Sequence, residues 1–256
     1  TPLYSSAASD VDKRQGFAYS RKKDYIEIDP SDYTQKVLEA FSYTNCQPRF
    51  VTGDPGDFIL DQSTRDSKAL GPKQHKLYRR LVGQCLWLSN VRRDIAYAVK
   101  ELSKFVHAPT EDDWARGTKL LRYLKATQKE TIFLRPNKIG HFFIEAHSDA
   151  DLGGCRTSRK STSGGCLSLN GAIIHTWAKQ QQTVADSSAE SEFIGLAQAC
   201  EEILYMTEVF GELGIKLSKV PTLYVDNTSA IRMIVSNIKS RVKHLDCLLY
   251  TSYAAD

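Results

Sequence analysis

Two short apolar runs, over residues 166–170 and 172–177, meet at Asn170-Gly171. An Asn-Gly pair between apolar runs is the strongest short-range signal for a β-hairpin, because both residues accept the positive φ angles of the turn. The pattern around this hairpin predicts a strand over residues 141–148 and a long helix over 187–210. It also predicts a second strand over 223–225 and a short helix over 228–236. This order predicts an α/β domain in which helices flank a mixed sheet.

The pattern of the first half of the sequence predicts a smaller and mostly helical region. Residues 16–28 are typical of a hairpin, and Ser31 is a candidate N-cap for the helix that follows. Residues 44–72 contain several Gly and Pro residues without periodicity and predict a long irregular connection. Three further helices are predicted, over about 74–89, over about 93–106 and from Thr110 onward. The first of these has an apolar stripe that includes Leu77 and Leu86.

Basic side chains lie along these three helices, and two interpretations of them are open. A solvated helix face and a nucleic-acid groove both fit the pattern. The net charge of +4, from 34 Lys and Arg against 30 Asp and Glu, permits a polyanionic partner without requiring one. The basic residues are Arg79, Arg80, Arg92, Arg93, Lys119, Arg122 and Lys125.

The composition excludes several classes of protein. The 256 residues are 41% hydrophobic and 25% charged, which excludes a wholly disordered chain. The chain contains no run of about eighteen apolar residues and no visible signal peptide, so we expect no membrane partner. The six cysteines form no Cys-x-x-Cys pair and no zinc-like cluster with histidine. We therefore expect free thiols in the reducing cytoplasm.

Three acidic residues stand where the predicted elements would bring them together. Asp149 ends the first strand of the α/β domain, and Asp226 ends the last one. If those strands lie side by side, both carboxylates converge at the carboxyl edge of the sheet, where open α/β sheets place their ligand sites. The start of the long helix supplies a third carboxylate, for which Glu190 and Glu192 compete. A single aspartate after a strand is typical of a surface turn. The placement of three acidic residues on strand, helix and strand favours a functional site instead.

Helix geometry separates the two glutamates. Ser187 and Glu190 match a capping box, in which the serine hydroxyl caps the helix and the glutamate reaches back to the N-cap backbone. Glu192 lies about 160° around the helix axis from Glu190, so both cannot face the same cluster. We assign Glu192 to the site and Glu190 to the cap.

A cluster of carboxylates predicts a bound cation. Carboxylates repel one another and are costly to remove from water unless a positive charge neutralises them. Mg²⁺ prefers oxygen ligands, and two such ions about 4 Å apart can activate water and stabilise the leaving oxygen in phosphodiester cleavage. The three residues therefore predict metal-dependent phosphodiester chemistry.

The second half of the chain resembles the ribonuclease H domain of copia-type (pseudoviral) retrotransposon Pol polyproteins. The matching motifs, in family order and spacing, are Ser148–Asp151, Arg159–Gly164, Trp177–Gln180, Ser187–Glu192, Tyr224–Ile231 and Lys243–Asp246. The first half is similar to the reverse-transcriptase thumb and helical connection of the same polyproteins, through residues 33–48, 81–95 and 114–125. The resemblance implies a thumb-like remnant over residues 1–72, a helical connection over 73–138 and a ribonuclease H-like domain over 139–256.

Carried over by position, the resemblance implies that Asp149, Glu192 and Asp226 are catalytic residues and ligands of two Mg²⁺ ions, with Mn²⁺ as a substitute. It implies an endonuclease that cleaves the RNA strand of RNA–DNA hybrids, without a small-molecule cofactor. The rest of the polyprotein is the implied protein partner, in the cytoplasm or in virus-like particles. The family's paired polymerase aspartates have no counterpart here, so no polymerase site is expected.

A basic run after the last predicted strand is a candidate contact for the hybrid backbone, and a solvated loop fits the run equally well. It consists of Lys239, Arg241, Lys243 and His244.

A further departure from the family keeps alternatives open. Family domains continue with another strand and a final helix that carries a fourth carboxylate, whereas only Asp246 and Asp256 are acidic after Asp226. We therefore expect a truncated domain that lacks a strand, with Asp246 as a candidate fourth carboxylate. A decayed or domesticated fragment that binds nucleic acid without cleavage is the main alternative. An integrase or transposase places its Glu after both aspartates, whereas Glu192 lies between Asp149 and Asp226.

Overall fold

The computed structural model describes residues 11–14, 16–53, 67–136, 141–155, 158–232 and 248–250. The chain divides into two compact units, with a boundary between Arg135 and Pro136. The three-part division implied by the family resemblance stays a prediction.

The first unit combines an antiparallel sheet with a group of helices. Its elements are β1 (Val11–Arg14), β2 (Phe17–Arg21), β3 (Ile26–Asp29), α1 (Ser31–Ala40), α2 (Pro72–Ser89), α3 (Ala96–Ser103), α4 (Glu111–Ala126) and β4 (Ile132–Leu134). The strands pair in the order β1-β2-β3-β4, and every pair is antiparallel. The β2–β3 pair confirms the hairpin predicted over residues 16–28. β4 returns to this sheet after the helices and was not predicted.

The N-terminus of α1 differs by one residue from the prediction. Pro30 occupies the N-cap position, and Ser31 is the first helical residue. Asp29, the last residue of β3, accepts hydrogen bonds from the backbone N–H of Ser31 at 2.8 Å and from the Ser31 hydroxyl. The predicted cap was wrong because the aspartate carboxylate satisfies the first helical N–H from outside the helix.

The buried face of α2 also differs from the predicted stripe. Leu77 and Leu86 are 40% and 46% exposed. Tyr78 is fully buried instead, and its hydroxyl donates to the carbonyl of Leu102 at 2.7 Å. The buried residues follow a regular helical spacing that includes this tyrosine: Tyr78, Leu81, Val82, Cys85 and Leu88. A tyrosine can join a helix core when its hydroxyl finds an acceptor there, which a count of apolar residues does not detect.

The last two helices of the unit follow their predicted order. The helix predicted over 93–106 is a 3-10 turn at Arg93–Ile95 followed by the shorter α3. α4 begins after Thr110, as predicted. Thr110 and Asp113 form a capping box, in which the Thr110 backbone N–H donates to Asp113 at 2.8 Å. Arg116 also donates to this fully buried carboxylate, at 3.2 Å.

The second unit is a five-stranded mixed sheet with a long helix. Its elements are β5 (Ile144–Ala150), β6 (Thr162–Leu169), β7 (Ala172–Gln180), α5 (Ser188–Glu212), β8 (Thr222–Tyr224) and β9 (Leu248–Tyr250). The strand order is β7-β6-β5-β8-β9, with β5, β6 and β7 antiparallel and β8 parallel to both β5 and β9. Residues 228–232 are helical. This arrangement confirms the expected α/β class, in which helices flank a mixed sheet that follows a smaller and mostly helical region.

The fifth strand corrects one expectation. The sequence was expected to lack a strand after Asp226, and β9 is present beside β8 in parallel register. Three residues are too few to produce a readable alternation, which explains why the strand was missed. Its pairing provides β8 with a neighbour on the side away from β5.

The β6–β7 hairpin and its packing are close to the prediction. Asn170 and Gly171 have φ angles of 53° and 83°, as a two-residue turn of this kind requires. Within the hairpin, Gly165 lies against the Trp177 ring, and a Cβ at this glycine would come within 2.1 Å of the ring. The core that α5 forms with the sheet consists of Ile144, Ala146, Leu167, Trp177, Leu196, Ala199, Cys200, Ile203, Phe210, Leu223 and Val225.

Two further observations concern the described part of the chain as a whole. None of its helices has both the length and the apolar character that crossing a membrane requires. Its free cysteines are Cys46, Cys85, Cys155, Cys166 and Cys200.

Candidate metal centre

The pairing of β5 with β8 brings two of the three predicted carboxylates to one edge of the sheet. His147 lies opposite Tyr224 in this parallel pair, and their rings stack with centroids 4.7 Å apart. Asp149 and Asp226 each lie two residues further along, and both are exposed. The next residue, Asn227, caps the following helix through its side-chain oxygen, which accepts two backbone N–H groups at 2.9 and 3.1 Å. Asp226 is therefore not needed as a helix cap.

The start of α5 positions Glu192. Ser187 is the N-cap, and its hydroxyl accepts the backbone N–H of Glu190 at 3.2 Å. The Glu190 carboxylate accepts the backbone N–H of Asp186 at 2.8 Å, one residue before the predicted partner. Glu190 therefore lies at the cap, whereas Glu192 is only 6% exposed and lies in the acidic cluster.

A buried amide ties the first turn of α5 to the sheet. Gln181, which directly follows β7, donates from Nε2 to the Ser163 hydroxyl at 2.9 Å and to the Ser191 carbonyl at 2.8 Å. All three residues are buried, and Ser191 directly precedes Glu192. The position of Glu192 therefore depends on polar contacts that reach β6 and the end of β7.

Close packing at Gly195 brings α5 against β5. A Cβ at Gly195 would lie 3.3 Å from the Ser148 hydroxyl and 3.4 Å from the Ala150 Cβ. The Ala150 backbone also forms a hydrogen bond with the Glu192 carboxylate. A small residue one turn after Glu192 thus lets the helix approach the strand that carries Asp149.

The three carboxylates form one cluster. Asp149, Glu192 and Asp226 each offer an oxygen, and these oxygens lie within 4.8 Å of one another. Burial raises the pKa of Glu192, and the negative charges of Asp149 and Asp226 raise it further. The hydrogen bond from Ala150 opposes this effect, and the resulting pKa is about 7. When no cation is bound, the Glu192 carboxyl is therefore partly protonated near neutral pH.

The chemistry of the cluster fits a divalent cation. Glu192 Oε2 is buried and has no hydrogen-bond partner in the described part of the chain. A buried carboxylate oxygen without a partner costs free energy, because it has lost its water without gaining a donor. Hard cations such as Mg²⁺ bind carboxylate oxygens and would remove this cost. Asp149, Glu192 and Asp226 are the residues that could hold them.

The remaining predicted site residues fall outside the described part of the chain. They are Asp246 and the basic run Lys239, Arg241, Lys243 and His244. Their suggested roles as a fourth carboxylate and as contacts for nucleic acid stay predictions.

Sequence reasoning missed the residues that position the cluster. Gln181 is the middle residue of three glutamines, and only its burial distinguishes it from its neighbours. Gly195 carries no local signal, because its role depends on a strand more than forty residues earlier. Asp151, two residues after Asp149, accepts the backbone N–H of Thr162 at the start of β6 and so joins two strands. Asp151 therefore has a structural contact, whereas Asp149 lies in the cluster as predicted.

The relatives found among curated proteins include two plant retrotransposon polyproteins. Over 212 residues, 82% of its length, this chain is 36% identical to a retrovirus-related Pol polyprotein from transposon RE1 of Arabidopsis thaliana. Over 169 residues, 66% of its length, it is 36% identical to the corresponding polyprotein from transposon RE2 of the same plant. The chain spans only 14% and 12% of the lengths of these relatives.

Comparisons at the level of families and structures gave two results. A scan against models of protein families gave no match. Among solved structures, the chain is similar to LC11-RNase H1 in complex with an RNA/DNA hybrid, with a TM-score of 0.29 and 9% identity. That alignment covers 42% of this chain and 83% of the other.

Proposed function

Because the chain belongs to the Pol polyproteins of copia-type retrotransposons, we propose that its second unit cleaves the RNA strand of RNA–DNA hybrids. The unit would act as a metal-dependent ribonuclease H within the longer polyprotein. The chain covers a small part of its relatives, so this proposal concerns the second unit and not the activities of a whole polyprotein.

The observation that supports the proposal is the convergence of three carboxylates from three separate elements. Asp149 comes from β5, Glu192 from α5, and Asp226 from the segment after β8. Two divalent cations held by such a cluster would supply charge neutralisation at the scissile phosphate and activation of water. Scattered surface acids would not supply this chemistry, because each would be neutralised separately by solvent and salt.

The surrounding residues would keep the cluster in place. The Gln181 amide and the close contact at Gly195 fix the first turns of α5 against β5 and β6. Ligands that are already in position need little rearrangement when they bind a cation or a phosphate. Glu192 would thus approach the site from the buried side, and Asp149 and Asp226 from the exposed edge.

The proton on Glu192 would compete with the metal. Because the pKa of Glu192 is raised to about 7, part of the metal-free protein carries a neutral Glu192 at neutral pH. Metal ligands must be deprotonated, so cation binding should strengthen as the pH rises from 6 to 8. Cleavage should rise over the same range.

A cleavage assay tests the proposal. The full chain is incubated with a hybrid whose RNA strand is end-labelled, in the presence of Mg²⁺ or Mn²⁺. We expect cleavage by the wild type and a loss of more than about 100-fold in Asp149→Asn and in Glu192→Gln, since even partners of metal ligands contribute 10- to 100-fold. Glu190→Gln is the matched control, because it makes the same change on the same helix outside the cluster.

Two outcomes would contradict the proposal. If the wild type binds the hybrid but does not cleave it with either metal, the chain is a decayed fragment that retains only binding. If Glu190→Gln abolishes cleavage while Glu192→Gln retains it, the assignment of the helix glutamate is wrong. Circular dichroism of each variant distinguishes lost chemistry from lost folding.

The proposed partners are the RNA–DNA hybrid and the rest of the polyprotein. A cytoplasmic location, including virus-like particles, is part of the same proposal. The direct test of the polyprotein context is immunoblotting of cells for a product longer than this chain.

A further inference from the structure

A cavity of about 420 Å³ lies in the second unit, between the end of β7 and one face of α5. The helix lines it with Ile194, Ala197, Gln198 and Glu201, which lie within an arc of about 100° around the helix. Glu201 follows Glu192 by about two and a half turns, so the two carboxylates are on opposite faces of α5. The cavity is therefore separate from the acidic cluster, and its volume falls in the range of about 300–1,000 Å³ that is typical of ligand pockets.

A buried acceptor at this cavity has no donor. Gln181 lines the cavity and is only 5% exposed. Its Nε2 donates to Ser163 and Ser191, whereas its Oε1 is buried and has no hydrogen-bond partner in the described part of the chain. A buried carbonyl oxygen without a donor costs free energy. An N–H group of a ligand in the cavity would supply the missing donor.

Two neighbouring glutamates of α5 differ in how their charges are used. Glu202 forms an ion pair with Lys179, with 3.3 Å between its Oε1 and the Lys179 Nζ. Glu201 is exposed at the cavity and forms no hydrogen bond or ion pair with the residues that the structure describes. Lys179 also lines the cavity, and Glu202 already balances its charge. The cavity therefore retains the negative charge of Glu201.

We propose that this cavity binds the guanidinium group of an arginine from a protein partner. A guanidinium has five N–H donors in one plane and no acceptor, so it can donate to Gln181 Oε1 and to the Glu201 carboxylate together. Its positive charge complements Glu201, and the methylene groups of the arginine can pack on Ile194 and Ala197. An ammonium group fits less well, because it is more strongly hydrated and lacks the planar arrangement of donors.

The surface beside the cavity favours a protein segment over a free small molecule. Leu204 and Tyr205 lie three and four residues after Glu201, and they are 43% and 62% exposed. Residues at this spacing are neighbours on a helix surface, so the apolar pair continues the cavity face by one turn. A protein segment that carries the arginine can cover this pair with its adjoining side chains, and arginine and tyrosine are frequent at the energetic centres of protein interfaces.

This interaction goes beyond the proposed cleavage and does not depend on it. Glu201 lies outside the acidic cluster, and binding of an arginine requires neither a metal ion nor a nucleic acid. The two proposals can therefore fail separately.

A titration followed by two-dimensional ¹H–¹⁵N NMR tests the proposal. The full chain is kept in EDTA and in about 0.1 M KCl, which screens exposed charges beyond about 10 Å. It receives the peptide acetyl-Ala-Leu-Arg-Leu-Ala-amide up to about 5 mM, which covers a millimolar dissociation constant. Parallel titrations use the same peptide with citrulline or lysine in place of arginine, and free acetylarginine amide. Citrulline is the matched control, since it keeps the shape of arginine and removes its charge.

We expect the arginine peptide to shift the backbone amide signals of residues 181–183 and 194–201. Glu201→Gln should weaken its binding about fivefold, at the upper end for an exposed ion pair. Ala197→Trp adds a large side chain at the cavity wall and should weaken binding more than about tenfold. Glu212→Gln removes the same charge from an exposed position at the end of α5, outside the cavity, and should bind like the wild type.

Four results would overturn the proposal. The arginine peptide could shift no signals although the spectrum is that of a folded protein. The citrulline or lysine peptide could bind as tightly as the arginine peptide, which would exclude recognition of a guanidinium. Glu201→Gln could weaken binding no more than Glu212→Gln, or less than Asp226→Asn, which would reduce the effect to general charge or move it to the acidic cluster. Free acetylarginine amide could bind as tightly as the peptide, which would exclude the protein partner.

A chain that binds the arginine peptide but does not cleave the hybrid would contradict only the proposed catalytic function.

Discussion

The two units of the molecule place acidic side chains in opposite electrostatic surroundings. In the first unit, Asp94 accepts hydrogen bonds from Arg92 at 2.9 and 2.6 Å and from the Tyr123 hydroxyl at 2.7 Å. Burial alone would raise the pKa of Asp94, but these donors outweigh burial and lower it. In the second unit, burial and two acidic neighbours raise the pKa of Glu192 to about 7.

This difference separates structural acids from candidate ligands. Asp113 is paired with Arg116, and Glu101 is paired with Lys100 and Lys104, so the chain itself neutralises these buried charges. The acidic cluster has no ion-pair partner in the part of the chain that the structure describes. A cation from solution would neutralise the cluster, and for this reason we propose that the second unit carries the chemistry.

The largest expected effect comes from removing a cation of the first unit. Arg92 is 2% exposed and also donates to the backbone and hydroxyl of Thr127 at 2.9 and 2.7 Å. Arg92→Ala should lower the free energy of unfolding by about 3 kcal/mol, because it removes four hydrogen bonds and the packing of a buried side chain. Urea denaturation measures this loss. Arg79 is exposed, so the control Arg79→Ala should change the free energy of unfolding by no more than about 0.5 kcal/mol. Equal losses in both variants would contradict a structural role for Arg92.

Removing the Glu192 carboxylate from the second unit should raise the stability of the metal-free protein at pH 8 instead of lowering it. The folded protein keeps a proton on Glu192 between about pH 4.5 and 7, where the unfolded chain has lost it, so stability falls as pH rises through this window. Glu192→Gln should remove this slope and make the metal-free variant more stable than wild type at pH 8, by a difference on the order of 1 kcal/mol.

Thermal unfolding in EDTA at pH 5 and pH 8 measures this difference. Glu190→Gln provides the comparison, because loss of its capping contact should lower the free energy of unfolding by at most about 1 kcal/mol at both pH values. A Glu192→Gln variant that is less stable than wild type at pH 8 would contradict the electrostatic account of the cluster.

The smallest effect is expected at the Glu101 pair. Lys104→Met removes one of two cations bound to Glu101, and Lys100 remains at 2.6 Å. The loss should be about 0.5 kcal/mol, as for a partly exposed ion pair. Chemical denaturation in low and high salt measures it. A loss above that of Arg92→Ala would show that Glu101 depends on Lys104 alone.

Much of the second unit could be predicted because its signals are local. The positive φ angles of Asn170 and Gly171 follow from the chemistry of those two residues. Glu190 and Glu192 could be separated because the helix period alone places them on different faces. The convergence of Asp149 with Asp226 followed from their equivalent positions at two strand ends.

The features that could not be predicted depend on contacts between distant segments. Gln181 supports the site because Ser163 and Ser191 happen to surround its amide. Tyr78 enters the core because a carbonyl on another helix accepts its hydroxyl. Likewise, nothing in the local sequence distinguishes the buried Arg92 from an exposed cation.

Titration with Mn²⁺ followed by electron paramagnetic resonance tests the central claim most directly, because the signal of free Mn²⁺ disappears as the ion binds. The account predicts uptake by wild type and by Glu190→Gln with equal affinity, and a loss of uptake in Asp226→Asn. No uptake by wild type, or equal uptake by all three folded proteins, would contradict the claim that the three carboxylates jointly hold a divalent cation.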